Sequence, residues 1–216
     1  DRLSLEAWQA LSRFGRGNDW RAAIVAAKPV RVLDLLDDGL ASLAAFNGLM
    51  HENMTRNYGW SFLDMGRRLE RAYNLGEAIL SLFVPAPDGE QETSSLLLLL
   101  ELADSYITYR SRYRLDPMMA LVLDLLLLDE TNPRSLAYQL DALSQHMEDL
   151  PDSKKGVSLT EDRRIILSLL TAVRLADVEI IAAEPTHATL QKVLQQLITD
   201  LPELSNAIGR HYFNLT

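Results

Sequence analysis

The sequence predicts an all-α protein folded as a single helical bundle of about eight helices. Leucine supplies 42 of the 216 residues, whereas valine and isoleucine together supply 18. Leucine loses little rotamer freedom in a helix, while β-branched residues favour strands. Hydrophobic residues make up 48% of the chain and charged residues 24%. That balance suffices for one buried core, so we expect a single domain over residues 1–216.

The first three helices follow from the spacing of apolar residues. Leu5, Trp8 and Leu11 share one face of a helix over about residues 4–14. The segment 18–29 is ambiguous, and apolar residues then recur every three or four positions over 30–54. A third helix is predicted over 58–83, before a loop over 85–89 that is rich in proline.

Capping residues predict where the later helices begin. Thr93 or Ser94 is expected to cap a helix that reaches Arg114. Two more helices should begin where an Asp or Asn precedes proline, at Asp116-Pro117 and Asn132-Pro133, the second after a short stop over 129–131.

Two long helices complete the predicted bundle. Ser158 and Glu161 form a capping box that opens a helix to about residue 183, after a polar loop over 151–156. The last helix begins at residues 184–186, and Pro202 is expected to kink or break it.

Composition narrows the classes of function. The chain has no cysteine, which excludes a disulfide scaffold, thiolate catalysis and a cysteine-based zinc site. Its net charge of −9 disfavours binding to nucleic acid or to a membrane surface. The leucine runs at 96–100 and 125–128 are too short to span a bilayer. We therefore expect a cytoplasmic protein, and because residue 1 is aspartate we expect a segment before it to be missing.

No familiar catalytic or cofactor motif is present. His51-Glu52 begins like a zinc-protease helix, but Thr55 occupies the position of the second histidine. The other histidines lie in separate segments and are interpreted as surface or cap residues, namely His146, His187 and His211. The sequence thus predicts no metal and no cofactor, and it favours a non-enzymatic protein.

Charged residues are concentrated in the third predicted helix. Arg67, Arg68, Glu70 and Arg71 follow one another closely, and Glu70 falls at the border of the apolar stripe. One interpretation is a set of surface ion pairs, with Asp64 four residues before Arg68. The other is that Glu70 and Arg67 lean into the bundle, where an unpaired charge is costly.

A glycine also interrupts this third helix. Gly66 should cost about 1 kcal/mol relative to alanine, so we expect a close helix approach there to compensate.

Two later stretches also carry unusual charges. Arg110 and Arg112 alternate with tyrosines and could clamp a phosphate or carboxylate, or could simply favour a helix C-terminus. Asp124 lies inside an apolar run and requires a partner, for which Arg110, Arg67 and Arg134 are candidates. We interpret such a pair as structural rather than catalytic.

Together these stretches resemble the bacterial alpha-E family, a domain of unknown function named for a helical Glu-Arg motif. The segment 66–72, GRRLERA, matches that motif. The segments SLEAW (4–8), YRSRY (109–113) and NPRSLA (132–137), the last with Asn132 and Arg134, look like the same family. Full-length members carry an earlier helix with its own Glu-Arg pattern, so we expect this chain to be truncated at its N-terminus.

The resemblance implies a helical bundle encoded beside, or fused to, ATP-grasp proteins and transglutaminase-like proteases. We therefore expect a non-catalytic accessory or scaffold partner of an ATP-grasp amide ligase in peptide synthesis or tagging. The alternative is an enzyme of the same pathway, with Glu70 as acid/base and arginines holding a carboxylate or phosphate. A third hypothesis is a helical module whose ion pairs only fix its packing. A homo-oligomer is also possible from the sequence, because the leucines can be buried within one chain or between subunits.

Overall fold

A computed structural model describes residues 3–16, 29–84, 86, 89–151 and 158–213. Within these ranges the regular structure is helical, with ten α-helices, one π-helical turn and no strand, so the all-α prediction is confirmed. The ambiguous segment 18–29 and the predicted loops 85–89 and 151–156 lie largely outside the described residues. The chain divides into two compact units, Asp1–Ser61 and Phe62–Thr216, and the single-domain organisation stays a prediction.

The first unit contains helices α1 (Leu5–Arg16) and α2 (Pro29–Asn53), which pack against each other. Among the residues of α1 whose side chains are described, Ala7 and Ala10 are buried. The predicted apolar stripe of α1 is instead exposed, at Leu5, Trp8 and Leu11. Small side chains therefore form the buried face of α1, since alanine permits close packing of two helices.

The second unit contains most of the core. Helix α3 (Tyr58–Phe83) has the predicted bounds and belongs to this unit from Phe62 onward. The other helices are α4 (Gly89–Leu102), α5 (Tyr106–Tyr113), α6 (Met119–Leu123), α7 (Leu136–Asp149), α8 (Glu161–Arg174), α9 (Val178–Ala183) and α10 (Ala188–Phe213). A π-helical turn, Asp124–Leu128, continues α6 and buries Leu125, Leu126 and Leu127 completely. Helix α7 packs on this turn and on α8, and α8 packs on α10.

The predicted helix from Thr93 or Ser94 to Arg114 is wrong at its start and in its middle. Helix α4 begins at Gly89 and ends at Leu102, and α5 is separate. Asp104 adopts a left-handed φ of 48°. Its N–H donates to the Glu101 carbonyl (2.9 Å), and the next N–H donates to the Leu100 carbonyl (2.8 Å). These two bonds form a Schellman motif, which satisfies the last carbonyls of α4 and ends it.

The two predicted Asx-Pro helix starts are also wrong, the first by two residues and the second by three. Helices α6 and α7 begin at Met119 and Leu136. The N-cap of α7 is Ser135, whose Oγ accepts from the Tyr138 N–H at 3.1 Å. Asn132 forms a turn instead, because its Oδ1 accepts from the Arg134 N–H (3.1 Å) and its Nδ2 donates to the Leu125 carbonyl (3.0 Å). The side chain of Asn132 therefore bonds to nearby backbone groups as a cap would, but it forms a turn before the helix.

The predictions for the last two long helices need three corrections. The N-cap of α8 is Thr160 rather than Ser158. The predicted helix to residue 183 is divided, since α8 ends at Arg174 and Asp177 caps α9 through its Oδ1. Helix α10 begins at Ala188 and continues through Pro202, so this proline does not break it.

The close helix approach occurs at Gly76 and not at the predicted Gly66. A Cβ added to Gly66 would meet nothing within 4 Å. A Cβ added to Gly76 would lie 2.6 Å from Cδ2 of Leu197 in α10. Gly76 is therefore the residue that lets α3 and α10 approach, whereas Gly66 is exposed.

Candidate functional site

A buried carboxylate organises the polar side of α3. Asp64 is 1% exposed and accepts a hydrogen bond from Nε of Arg68 at 2.9 Å. Nε2 of His146 on α7 lies 2.8 Å from the same Asp64 oxygen, and Arg67 lies 3.4 Å from the other oxygen. Arg68 also donates to Oε1 of Gln139 at 3.2 Å. Helices α3 and α7 are thus joined by polar contacts around one carboxylate.

The charge of Asp64 is strongly stabilised. Burial alone would raise the pKa of Asp64. The hydrogen bond from His146 and the cations of Arg68 and Arg67 outweigh burial and hold the pKa of Asp64 well below its ordinary value. Arg67 and Arg68 therefore stabilise the buried Asp64 carboxylate. The guanidinium carbon of Arg68 also lies 5.1 Å from the centre of the Tyr138 ring.

The Glu-Arg pair on the same helix lies outside that network. Glu70 and Arg71 are both exposed. Neither side chain forms a hydrogen bond or an ion pair with the described residues. The hypothesis that Glu70 acts as a buried acid/base therefore lacks the burial that it requires, and Glu70 does not lean into the bundle. Of Glu70 and Arg67, which the sequence analysis considered as leaning into the bundle, Arg67 is the one that contacts a buried group, the Asp64 carboxylate.

Arg71 borders a cavity of about 280 Å³ in the second unit. Arg134, Asn74 and Gln139 supply the other polar groups of its lining. The rest of the lining is aliphatic and comes from α3, α4 and the residue after α4, namely Leu75, Ala78, Leu99, Leu102 and Ala103. The cavity therefore combines two guanidinium groups with an apolar wall.

The electrostatics at Arg71 reflect an excess of positive charge. Partial burial of its guanidinium lowers the pKa of Arg71, and the nearby cations of Arg67, Arg134 and Arg68 lower it further. Asp64 opposes this effect but is already paired with Arg67 and Arg68. Arg134 has a partner of its own, since it donates to Oδ2 of Asp104 at 2.7 Å. A bound anion would relieve the repulsion at Arg71.

The remaining predicted arginines lie in separate ion pairs. Arg112 pairs with Asp129 at 2.6 Å, and Arg110 lies 3.8 Å from the fully exposed Asp116. Neither belongs to the lining of the cavity at Arg71. Arg110 and Arg112 therefore do not combine with Arg134 to form one anion-binding site at this cavity.

The partner of Asp124 is a tyrosine rather than any of the arginines that we considered. The hydroxyl of Tyr113 donates to Asp124 Oδ2 at 2.7 Å. Burial, together with this hydrogen bond, raises the pKa of Tyr113 to about 12. The pair links α5 to the π-helical turn, where the neighbouring leucines are fully buried.

Sequence reasoning missed His146 and Gln139, and it did not predict the burial of His187. His146 and His187 were interpreted as surface or cap residues. His146 contacts the buried Asp64, and His187 is 6% exposed, with its Nδ1 3.0 Å from the Phe83 carbonyl. The only local signal was Asp64 itself, because a carboxylate next to the apolar stripe of a helix requires partners. The partners on α7 could not be read from spacing.

Two features are absent from the described residues, a metal-binding group and a membrane-spanning helix. Among those residues, no group of three or more His, Asp or Glu side chains is placed to hold a metal ion. No helix formed by them is both long enough and apolar enough to cross a membrane.

Comparison with known proteins now identifies the family. A family model named Alpha-E, described as a predicted alpha-helical domain with a conserved ER motif, matches residues 1–213. The chain belongs to the Alpha-E family. Within this Alpha-E chain, Glu70-Arg71 on α3 is the segment that we matched to the ER motif, and the structure places it beside the cavity.

Relatives of this Alpha-E chain occur in mycobacteria. Uncharacterized proteins of Mycobacterium bovis and of two strains of Mycobacterium tuberculosis are each 26% identical to it over 214 residues. The match covers 96% of this chain and 24% of each relative, so the chain spans about a quarter of their length. No solved structure matches the chain.

Proposed function

We propose that this Alpha-E chain is a non-catalytic accessory or scaffold domain in the bacterial cytoplasm. It binds an ATP-grasp amide ligase, or presents the peptide substrate of that ligase, in peptide synthesis or tagging that also involves a transglutaminase-like protein. The observation that carries this proposal is the exposure of Glu70 and Arg71, which form no hydrogen bond or ion pair with the described residues.

Residues of a family motif normally either stabilise the fold or contact something outside it. The ion pairs on α3 are formed by Asp64 with Arg67 and Arg68, which precede Glu70 on the same helix. Glu70 and Arg71 are therefore available to a partner. Arginine is enriched at the centres of protein interfaces, where its planar group can bind a carboxylate in two places at once.

The enzymatic alternative keeps Glu70 as acid/base and arginines as carboxylate or phosphate ligands. It has less support, because the exposed Glu70 is not among the residues that line the cavity at Arg71. The third hypothesis, a purely structural module, applies best to Asp64, Arg67 and Arg68. It does not account for Glu70 and Arg71.

The test is co-purification of this chain with the ATP-grasp protein encoded beside it, with light scattering to measure the mass of the complex. Arg71→Ala and Glu70→Ala should each weaken the complex at least tenfold while leaving the circular dichroism unchanged. Lys192→Ala and Glu203→Ala are matched controls, because both residues are exposed charges on α10 without a described partner. Arg134→Ala should also weaken the complex.

Absence of a complex at micromolar concentrations would contradict the accessory role. Equal weakening by the α10 controls would show that overall charge, and not the Glu-Arg pair, supports association. If instead the free chain alone turned over a peptide or nucleotide, and Glu70→Gln abolished that turnover, the enzymatic alternative would replace the accessory role.

A further inference from the structure

The cavity beside the Glu-Arg pair has the features of a small ligand site. Its volume is about 280 Å³, just below the range typical of ligand pockets, which is roughly 300–1,000 Å³. We propose that it binds a carboxylate carried on a short aliphatic group, as in the C-terminal residue of a peptide that ends in an aliphatic amino acid. This assignment rests on the proposed function, since it names what the domain would present to the ligase.

The charges around the cavity favour a ligand with a single negative charge. Asp64 pairs with Arg67 and Arg68, and Asp104 pairs with Arg134. Arg71 is left without a carboxylate partner among the described residues. One bound carboxylate would therefore compensate one unpaired guanidinium, with two N–H groups of Arg71 matching its two oxygens.

Arg134 can contribute a second contact to the same ligand. Its backbone is fixed, because its N–H donates to Oδ1 of Asn132 at 3.1 Å. Its bond to Asp104 lies at the surface, where the side chains are 42% and 79% exposed. Exposed ion pairs contribute little free energy, so Arg134 can exchange Asp104 for a ligand at small cost.

The apolar wall selects the rest of the ligand. Leu75, Ala78 and Leu99 face the cavity together with Leu102 and Ala103. An aliphatic side chain would bury its surface against them, which favours binding because apolar surface is removed from water. Inorganic phosphate would leave this wall uncovered and would bring more charge than Arg71 alone requires.

The wall on the α7 side is held rigidly. Gln139 is 1% exposed, accepts from Arg68 and donates to the Pro133 carbonyl at 2.5 Å. Both the oxygen and the nitrogen of its amide are therefore held by hydrogen bonds, which keep this side chain from collapsing into the cavity. A site whose walls are fixed before binding loses less conformational entropy when the ligand enters.

The test is titration of the 216-residue chain by calorimetry, with binding mapped by amide NMR shifts. The three probes are N-acetyl-leucine, its neutral analogue N-acetyl-leucinamide, and inorganic phosphate. N-acetyl-leucine should bind at least tenfold more tightly than either of the others, with shifts at Ala78 and Ala103. Arg71→Ala should weaken its binding at least tenfold, and Lys192→Ala should leave it unchanged.

Arg71→Lys separates charge from geometry, because lysine keeps the cation but lacks the planar pair of N–H groups. We expect it to bind N-acetyl-leucine with an affinity between those of the wild type and Arg71→Ala. Failure of all three probes to bind, equal binding of the amide, tighter binding of phosphate, or no loss in Arg71→Ala would each overturn the proposal. A chain that captures the ATP-grasp protein but ignores N-acetyl-leucine would overturn this inference alone, leaving the accessory role intact.

Discussion

Asp64 and His146 are 82 residues apart in the sequence, yet Nε2 of His146 lies 2.8 Å from Oδ2 of Asp64. The same Asp64 oxygen accepts from Arg68, which in turn donates to Gln139 on α7. This network fixes one face of α3 against α7. It thereby places Arg71, three residues after Arg68, beside the cavity with Arg134.

Replacing the central carboxylate should destabilise the protein strongly. Asp64→Ala removes the buried carboxylate that Arg67 and Arg68 contact, and breaking a buried ion pair costs about 3 kcal/mol. Urea unfolding measures the change in the free energy of unfolding. Asp104→Ala is the control, because its pair with Arg134 is exposed and should cost less than about 1 kcal/mol. Equal losses in the two variants would contradict the central role of Asp64.

The same carboxylate predicts a pH dependence. Because the pKa of Asp64 is lowered by folding, its contribution to stability is complete above the pKa of the unfolded state, about 4. The contribution is then lost as the pH falls through that value toward the lower pKa of the folded state. The wild type should lose stability faster than Asp64→Asn below pH about 4. Parallel curves from urea midpoints would show that Asp64 is not a source of acid sensitivity.

Alanine at two glycines of α3 should have opposite effects. Gly66→Ala should stabilise the protein by roughly 0.5–1 kcal/mol, because alanine favours a helix and its Cβ meets nothing within 4 Å. Gly76→Ala should destabilise it by about 1 kcal/mol or more, since the new Cβ displaces the buried Leu197. Thermal unfolding of the two variants checks both signs, and stabilisation by Gly76→Ala would contradict the close approach.

Tyr113→Phe should destabilise the protein by about 1 kcal/mol, since Asp124 would lose its hydrogen-bond donor. Arg110→Ala should change stability by less than about 0.5 kcal/mol, because its ion pair is exposed. A double-mutant cycle with Asp124→Asn measures the coupling directly. Stronger coupling of Asp124 to Arg110 than to Tyr113 would restore one of the three arginines that the sequence analysis considered as partners.

Ser135→Ala should cost about 1–2 kcal/mol, because Ser135 both caps α7 and donates to the Asp129 carbonyl at 2.6 Å. Asp116→Ala should cost almost nothing, since Asp116 is fully exposed and caps no helix. Denaturant midpoints of the two variants distinguish the observed cap from the predicted one. A loss at Asp116 as large as that at Ser135 would contradict this assignment.

Local sequence chemistry determined the helical class, the bounds of α3 and the stop after the π-helical turn. Leucine content and the spacing of apolar residues act within a few turns of helix, so they can be read from one chain. The same approach predicted Asp116 and Asn132 as helix caps, which placed the start of α6 two residues too early and the start of α7 three residues too early. The bonds that Tyr109 and Leu125 make to those segments come from other elements, and they decide where each helix begins.

The sequence by itself therefore determined an all-α protein with a Glu-Arg motif on its third predicted helix and charged residues that require partners. Only the tertiary structure decided which partners they have. It paired Asp64 with His146, Asp124 with Tyr113 and Gly76 with Leu197, and it left Arg71 beside an apolar cavity. The physical reason is that helical periodicity fixes the face on which a residue lies, whereas desolvation and packing between distant helices choose what it contacts.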